Sequence, residues 1–539
     1  MLRQPGRRSQ LSALPLLAGA LAFALAAPSA SQEIRIGLSL GPTSFDPHYH
    51  AHAASFVTQR HVFEPLITRA ADLSLQPTLA RRWVLLPEGD GWEFHLDPEA
   101  RFQDGTPVTA GDVAASLRRA LTLPHSPARW TPFLADITRV EIIDEHTLRL
   151  RGEGPAPLLP ANITALMIIP ARIAATAATA DFNAGRAAIG SGPYRLRRYA
   201  AGTLLEFAAD PGWWQARRDG AEPWARVEMR VVTNDSTRVA ALMARDLDLI
   251  EAVPPADAAR LAARPDLRLV QGPNGRIVYL ALDQNPAPPA GLTDRRGERP
   301  ARNPLADARV RRALSMAIDR AAIVARVMDG YATVADQIQP PGLPAHDPTL
   351  PPLTYDPREA RRLLAEAGWA EGFRMVLGGP NNRIVNDERI LQAVAQMWER
   401  LGVSVEVQAQ PMAVYLPRFI AGGYPSALAS WIIPSQDPNS FFSAILATRD
   451  PARGRGVYNP AGYGNPVLDG LLDQALGTLD SAARHRLWHR ATRLAIREDV
   501  AVLPMHHQVG LWAMHQGLRY EARPDEATYA MGIRAVTPP

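Results

Sequence analysis

The chain is expected to fold as an α/β protein. Three observations lead there: strand and helix signals interleave over the whole length, helix starts carry capping residues, and tight Asp-Gly or Asx turns separate the segments. With 539 residues, of which 47% are hydrophobic, it can form two or three domains with a large core.

The elements follow in order. Glu33 to Ser39 reads as a strand, and Trp92 to Asp97 alternates as another. Asp104-Gly105 is a turn between strand and helix. Thr109 is placed to cap the next helix, with Asp112 three residues on and an apolar stripe through Val113, Leu117 and Leu121. Residues 139–143 and 147–151 flank an Asp-Glu-His turn and predict a hairpin.

The second half is more helical. Asp307 to Ile318 has helical apolar spacing with Arg on the other face. Asp356 caps a helix that takes Pro357 at its first position and closes at Gly368. A helix from Asp387 to Leu401 ends at Gly402, and VSVEVQAQ then alternates as a strand. Ser481 to Arg497 is helical again. Residues 285–304 are rich in Pro, Gly and Arg and read as a loop or linker. Residues 340–352 are Pro-rich too.

The first residues have the three parts of an export signal. Arg3, Arg7 and Arg8 precede an apolar run from Leu11 to Ala27, and small residues follow. Without those three arginines the formal charge of +4 becomes 4 − 3 = +1. All 58 basic residues are Arg, spread along the chain, which argues against a nucleic-acid partner. The absence of Cys excludes disulfides, thiol catalysis and a lipid anchor on Cys.

Five segments then point the same way. They are SFDPHYHAHAASFVTQRHVFEPL from Ser44, PTLARRW with FHLDPEARFQDGTPVTAGDVAASL, IGSGPY with FAADPGWW, ARNPLADARVRRALSMAIDR from Ala301, and YNPAGYGNPVL from Tyr458. In order and spacing the chain resembles the family 5 extracellular solute-binding proteins of ABC importers, the dipeptide, oligopeptide and nickel type. The resemblance implies a two-lobed periplasmic-binding-protein fold of the class C type, with an extra α+β subdomain inserted in lobe I. It divides the chain into a signal peptide (1–31), lobe I (32–64, 189–284 and 497–539), the inserted subdomain (65–188), a linker or loop (285–304) and lobe II (305–496). It also implies a periplasmic location, ligand capture between the lobes, and permease and ATPase subunits as partners. No nucleic acid, cofactor or catalytic residue is expected, and the protein is expected to be a monomer.

Candidate ligand residues follow from the same resemblance. Trp431 and Asp437 bound the stretch WIIPSQD; peptide binders place an acid for the ligand ammonium inside it, and Pro434 stands there instead. Simple dipeptides are therefore expected to bind weakly. Arg383, in GGPNNRIVNDE, matches a loop that supplies a cation for the ligand carboxylate. Phe45 and Asp46 follow the first strand, at the expected cleft edge. Tyr458, Asn459 and Tyr463 lie in a Gly-rich loop that would close over ligand. His48, His50 and His52 alternate, and His506 and His507 are adjacent on a strand and so point to opposite faces; no metal site is assigned.

Two other functions compete with this one. A secreted peptide or glycoside hydrolase lacks support, because HExxH, GxSxG and Cys are all absent. A sensor or chaperone that binds without transport would use the same fold.

Overall fold

The computed structural model describes residues 33–50, 53–124, 126, 130–134, 137–216, 224–433 and 435–536. The expected export signal, His52 and Pro434 lie outside the described residues. Among the described residues no helix is long and apolar enough to cross a membrane.

A twelve-stranded sheet runs through most of the chain. Its first half has three mutually parallel strands, Glu33–Leu38 between Arg226–Val231 and Leu249–Ile250, extended by the hairpin Tyr194–Ala200 and Leu204–Ala209. Its second half has another parallel set, with Arg374–Pro380 between Ser404–Gln410 and Ser426–Ile432. Two long antiparallel strands, Leu267–Leu282 and Val502–His515, cross from one half to the other. Their ladder is interrupted between Pro273 and Ile277. The halves are the two lobes, and this gap is where they meet.

Both faces of the second half are buried, one against Tyr279, Phe441 and Trp488, the other against Leu280, Leu314 and Trp398. Each such apolar side chain contributes about 1.5–3 kcal/mol on burial. The first lobe has its own core around Phe45, Phe63, Phe207 and Trp512.

Between residues 80 and 151 a separate four-stranded antiparallel sheet forms, in the order Ala80–Leu85, Gly91–Leu96, Thr147–Arg151, Arg139–Asp144. Helix Ala110–Thr122 packs on it, burying Val113 and Leu117. The capping box forms as expected: Asp112 Oδ2 accepts from Thr109 N at 2.8 Å, and Thr109 Oγ1 accepts from Asp112 N at 3.4 Å. The hairpin turn also forms, with Asp144 Oδ1 accepting from His146 N at 2.8 Å. In IGSGPY, a Cβ on Gly190 would sit 1.9 Å from the Val62 carbonyl oxygen, so that loop must carry glycine there.

The expected helices occur at Ala308–Met316, Pro357–Glu366, Asp387–Glu399 and Ser481–Thr492, the last continuing as a wider π turn over Arg493–Glu498. The first differs in one respect. Arg311 does not lie on an outer face; it is buried and donates to the carbonyls of Leu305, Ala306 and Val500.

Residues 285–304 do not run between the lobes. Leu292–Thr293 adds an edge strand to Arg374–Pro380, and Asn303 Nδ2 donates to Asp283 O at 2.9 Å, so the segment folds back on the second lobe. The crossing is made by the two long strands instead.

Candidate functional site

Strand direction locates the crevice. Strand 249–250 runs antiparallel to 513–514, which leads away from the second lobe, so the parallel strands of the first lobe end facing the second. Strand 426–432 runs antiparallel to 276–282, so the parallel strands of the second lobe end facing the first. The carboxyl ends of two parallel sets thus oppose each other across the crossing. Loops at such ends are where α/β folds place ligands.

The crossing is held by a polar knot. Arg276 is 5% exposed and donates Nε and Nη2 to Glu526 Oε1 and Oε2 at 2.8 and 2.6 Å. Its Nη1 donates to Ser430 Oγ at 3.2 Å. Asn274 Nδ2 also donates to Glu526, at 2.8 Å, while Asn274 Oδ1 accepts from Arg276 N. Gly275 lies between the Ile433 and Pro524 carbonyls, which a Cβ would meet at 2.5 and 3.2 Å. Burial alone would raise the Glu526 pKa; Arg276 outweighs it and holds the carboxyl down at about 2.

Arg383 lies at the end of strand 374–380. Its backbone N and that of Ile384 donate to Asp387 Oδ2 at 3.1 Å each, which fixes the loop to the following helix. The residue is exposed, and its guanidinium has no hydrogen-bond partner among the described residues. Repulsion from Arg276, followed by desolvation, lowers its pKa to about 10, with Glu526 acting in the other direction. One carboxylate therefore faces two guanidinium groups, and Arg276 takes both of its oxygens.

Trp431 pairs with Ile277 in the ladder, so it sits beside the crossing. It is partly buried, stacks obliquely on Tyr458 at 5.4 Å between ring centroids, and donates Nε1 to Ser440 Oγ at 3.1 Å. Arg383, Trp431 and Tyr458 are the expected residues that the crevice region retains with open surface.

The other expected residues are turned inward. Phe45 is 0% exposed and packs among Phe63, Tyr199 and Phe207. Asp46 accepts from Arg119 Nη1 and Nη2, both at 2.7 Å, and from Thr179 Oγ1 at 2.7 Å. These two anchor the first loop to the helix at 110–122 and leave no free atom for a ligand. Asp437 is also occupied, accepting from Arg484 Nε at 2.9 Å and Trp488 Nε1 at 3.1 Å while capping Asn439 N. Asn459 Nδ2 donates to the carbonyls of Ala447 and Tyr463, and Tyr463 OH donates to Asp499 Oδ2 at 2.6 Å. The Gly-rich loop is therefore pinned to its own lobe. With Tyr458, these residues line a small void bounded by Tyr279, Ile445 and Val502.

His506 and His507 pair with Val278 and Ile277 and so face opposite sides of the sheet. Both are buried, as is His48, whose Nε2 meets Met167 O at 2.8 Å. Among the described residues no group of three His, Asp or Glu converges as a metal would require.

Asn274, Arg276 and Glu526 had not been singled out in the sequence. Glu526 is 250 residues from its partner, in a C-terminal coil.

Residues 74–452 match the middle region that defines the bacterial extracellular solute-binding proteins of family 5. The chain is 25% identical over 501 residues to heme-binding protein A of Haemophilus influenzae, covering 87% of this chain and 86% of that one. It is 26% identical over 500 residues to the glutathione-binding protein GsiB of Salmonella typhimurium, covering 91% of each. The fold matches the periplasmic binding protein DppA of Helicobacter pylori, solved with the peptide STSA, with a TM-score of 0.77 at 18% identity over 93% of this chain and 98% of that one.

Proposed function

Because the chain belongs to the family 5 bacterial extracellular solute-binding proteins, we propose that its crevice captures a small solute by a carboxylate that Arg383 holds. The protein is the solute-binding component of an ABC importer of the peptide-type family. Family members work in the periplasm; export directed by residues 1–31 belongs to the proposal.

The carrying observation is the unpaired Arg383 guanidinium. It lies in the field of Arg276, in a crevice whose Glu526 is already taken. A ligand carboxylate relieves that repulsion and receives two donors in one plane. Capture is non-covalent, with the lobes rotating about 273–277 and 507–509, and Trp431 with Tyr458 supplying an aromatic wall.

Relatives bear names for heme, glutathione and peptide binding, so the family name leaves the solute open. The charges narrow it. By the resemblance, Pro434 stands in the sequence where peptide binders carry the ammonium-binding acid, and Glu526 is committed to Arg276. The ligand is an acid that needs no carboxylate partner for a free α-ammonium group. Oligomeric state is proposed as monomeric.

A thermal-shift screen of acyl amino acids, glutathione, opines, dipeptides and metal chelates tests this. Stabilising hits are expected to share a carboxylate and to lose their effect in Arg383→Gln. Hits confined to neutral or cationic solutes, with Arg383→Gln unaffected, would overturn it.

A further inference from the structure

A second group of arginines stands beside the crossing, on the first-lobe side. Arg60, Arg69 and Arg523 surround Tyr529, with the Arg60 and Arg523 guanidinium carbons 5.4 and 5.1 Å from its ring centroid. Of the three, only Arg523 is ion-paired among the described residues, with Asp525, at 3.0 and 2.8 Å. Arg69 donates to neutral groups alone, Thr164 Oγ1 and Ala161 O, at 3.2 and 2.6 Å. Arg60 reaches Thr68 Oγ1 through Nη1, and its Nε is buried without a partner. The Tyr529 hydroxyl makes no hydrogen bond among the described residues, and Arg60, Arg69 and Tyr529 are each partly open to water.

Two contacts place this group at the mouth of the crevice. Pro524 O accepts from Gly275 N at the crossing, at 2.8 Å. Gln436 of the second lobe donates Nε2 to Asp72 O at 3.1 Å, and Asp72 lies within the field of Arg523. Residues 523–529 therefore form one wall that carries Glu526 toward Arg383 at one point and Tyr529 toward Arg60 and Arg69 at the other. Glu526 and Tyr529 are three positions apart, so their Cα atoms are at most on the order of 10 Å apart.

We propose that the crevice recognises a dianion: Arg383 takes one carboxylate, and Arg60 with the Tyr529 hydroxyl takes a second, with Arg69 adding charge. This rests on the reading of Arg383 given above and goes beyond it by setting the ligand's charge and length. The second place suits a carboxylate because Arg60 offers in-plane donors and the phenol one more, for a single planar negative group. Asp525 pairs with Arg523; Glu64 and Asp72 lie in the fields of Arg60 and Arg523, but no ion pair among the described residues joins either of them to these arginines.

The test is titration calorimetry with α,ω-dicarboxylates from glutarate to sebacate, each beside its monomethyl ester. At least one diacid is expected to bind tenfold or more tighter than its ester. Arg60→Gln is expected to abolish that preference and Arg60→Lys to restore part of it, with the exposed control Arg358→Gln keeping it in full. Melting curves of each variant confirm folding. Esters that bind as well as every diacid, or a preference that survives Arg60→Gln, would overturn the proposal. If the esters then still need Arg383, the single-carboxylate reading stands alone; if neither series binds, both fall.

Discussion

Arg276 and Glu526, 250 residues apart in sequence, meet as a two-pronged ion pair at 2.8 and 2.6 Å at the point where two strands pass between the lobes. The pair ties the C-terminal segment to the crossing strands. Glu526→Ala leaves Arg276 buried without its carboxylate and is expected to cost about 3–5 kcal/mol in denaturant unfolding at pH 7.

The same pair sets an acid dependence. The Glu526 pKa is lowered in the folded protein to about 2 from its ordinary value of 4.5. Its contribution is thus complete above about pH 4.5 and disappears as pH falls toward 2. The stability difference between the protein and Glu526→Gln, on the order of 2 kcal/mol at pH 7, is expected to shrink over that window. A difference that stays constant from pH 7 to pH 2.5 would contradict the assignment.

Four buried histidines act at higher pH. Burial lowers His48, His61 and His506 to about 4 and His507 to about 3. The unfolded chain binds their protons first, near pH 6.5, so stability falls as pH drops from 6.5 toward 4. Each adds up to about 1.4 kcal/mol per pH unit to the slope. The variant His506→Leu is expected to flatten the slope by one such increment. It also removes two unpartnered ring nitrogens and is expected to stabilise the fold by about 1 kcal/mol at pH 5.

Asp46 separates a structural role from a binding one. Its carboxylate and Arg119 are both buried. Asp46→Ala is expected to lower stability by about 3–5 kcal/mol, read by denaturant unfolding. The affinity for a screened ligand, measured below the melting range, is expected to stay within twofold.

How much of this was legible in the sequence varied with distance along the chain. Thr109 with Asp112, Asp144 and Asp356 were readable, because a cap or Asx turn is decided within three or four residues. The lobes were readable only through five motifs taken together. Phe45 and Asp46 were misplaced because a loop's position says nothing of which way its side chains turn; here Phe63, Phe207 and Arg119, all remote, draw them inward. Residues 285–304 read as a loop or linker because Pro and Gly mask a two-residue edge strand. Arg383 could be nominated as a cation, but its lack of a partner depends on Arg276 and Glu526, and no local pattern joins those three.

The most direct measurement is calorimetry of the strongest carboxylate-bearing hit against the protein and Arg383→Gln, repeated with the methyl ester of that hit. Arg383→Gln and esterification of the bound carboxylate are each expected to weaken binding by about 2–3 kcal/mol, roughly a hundredfold, and to do so non-additively. Unchanged affinity in Arg383→Gln, with the ester still discriminated, would contradict it.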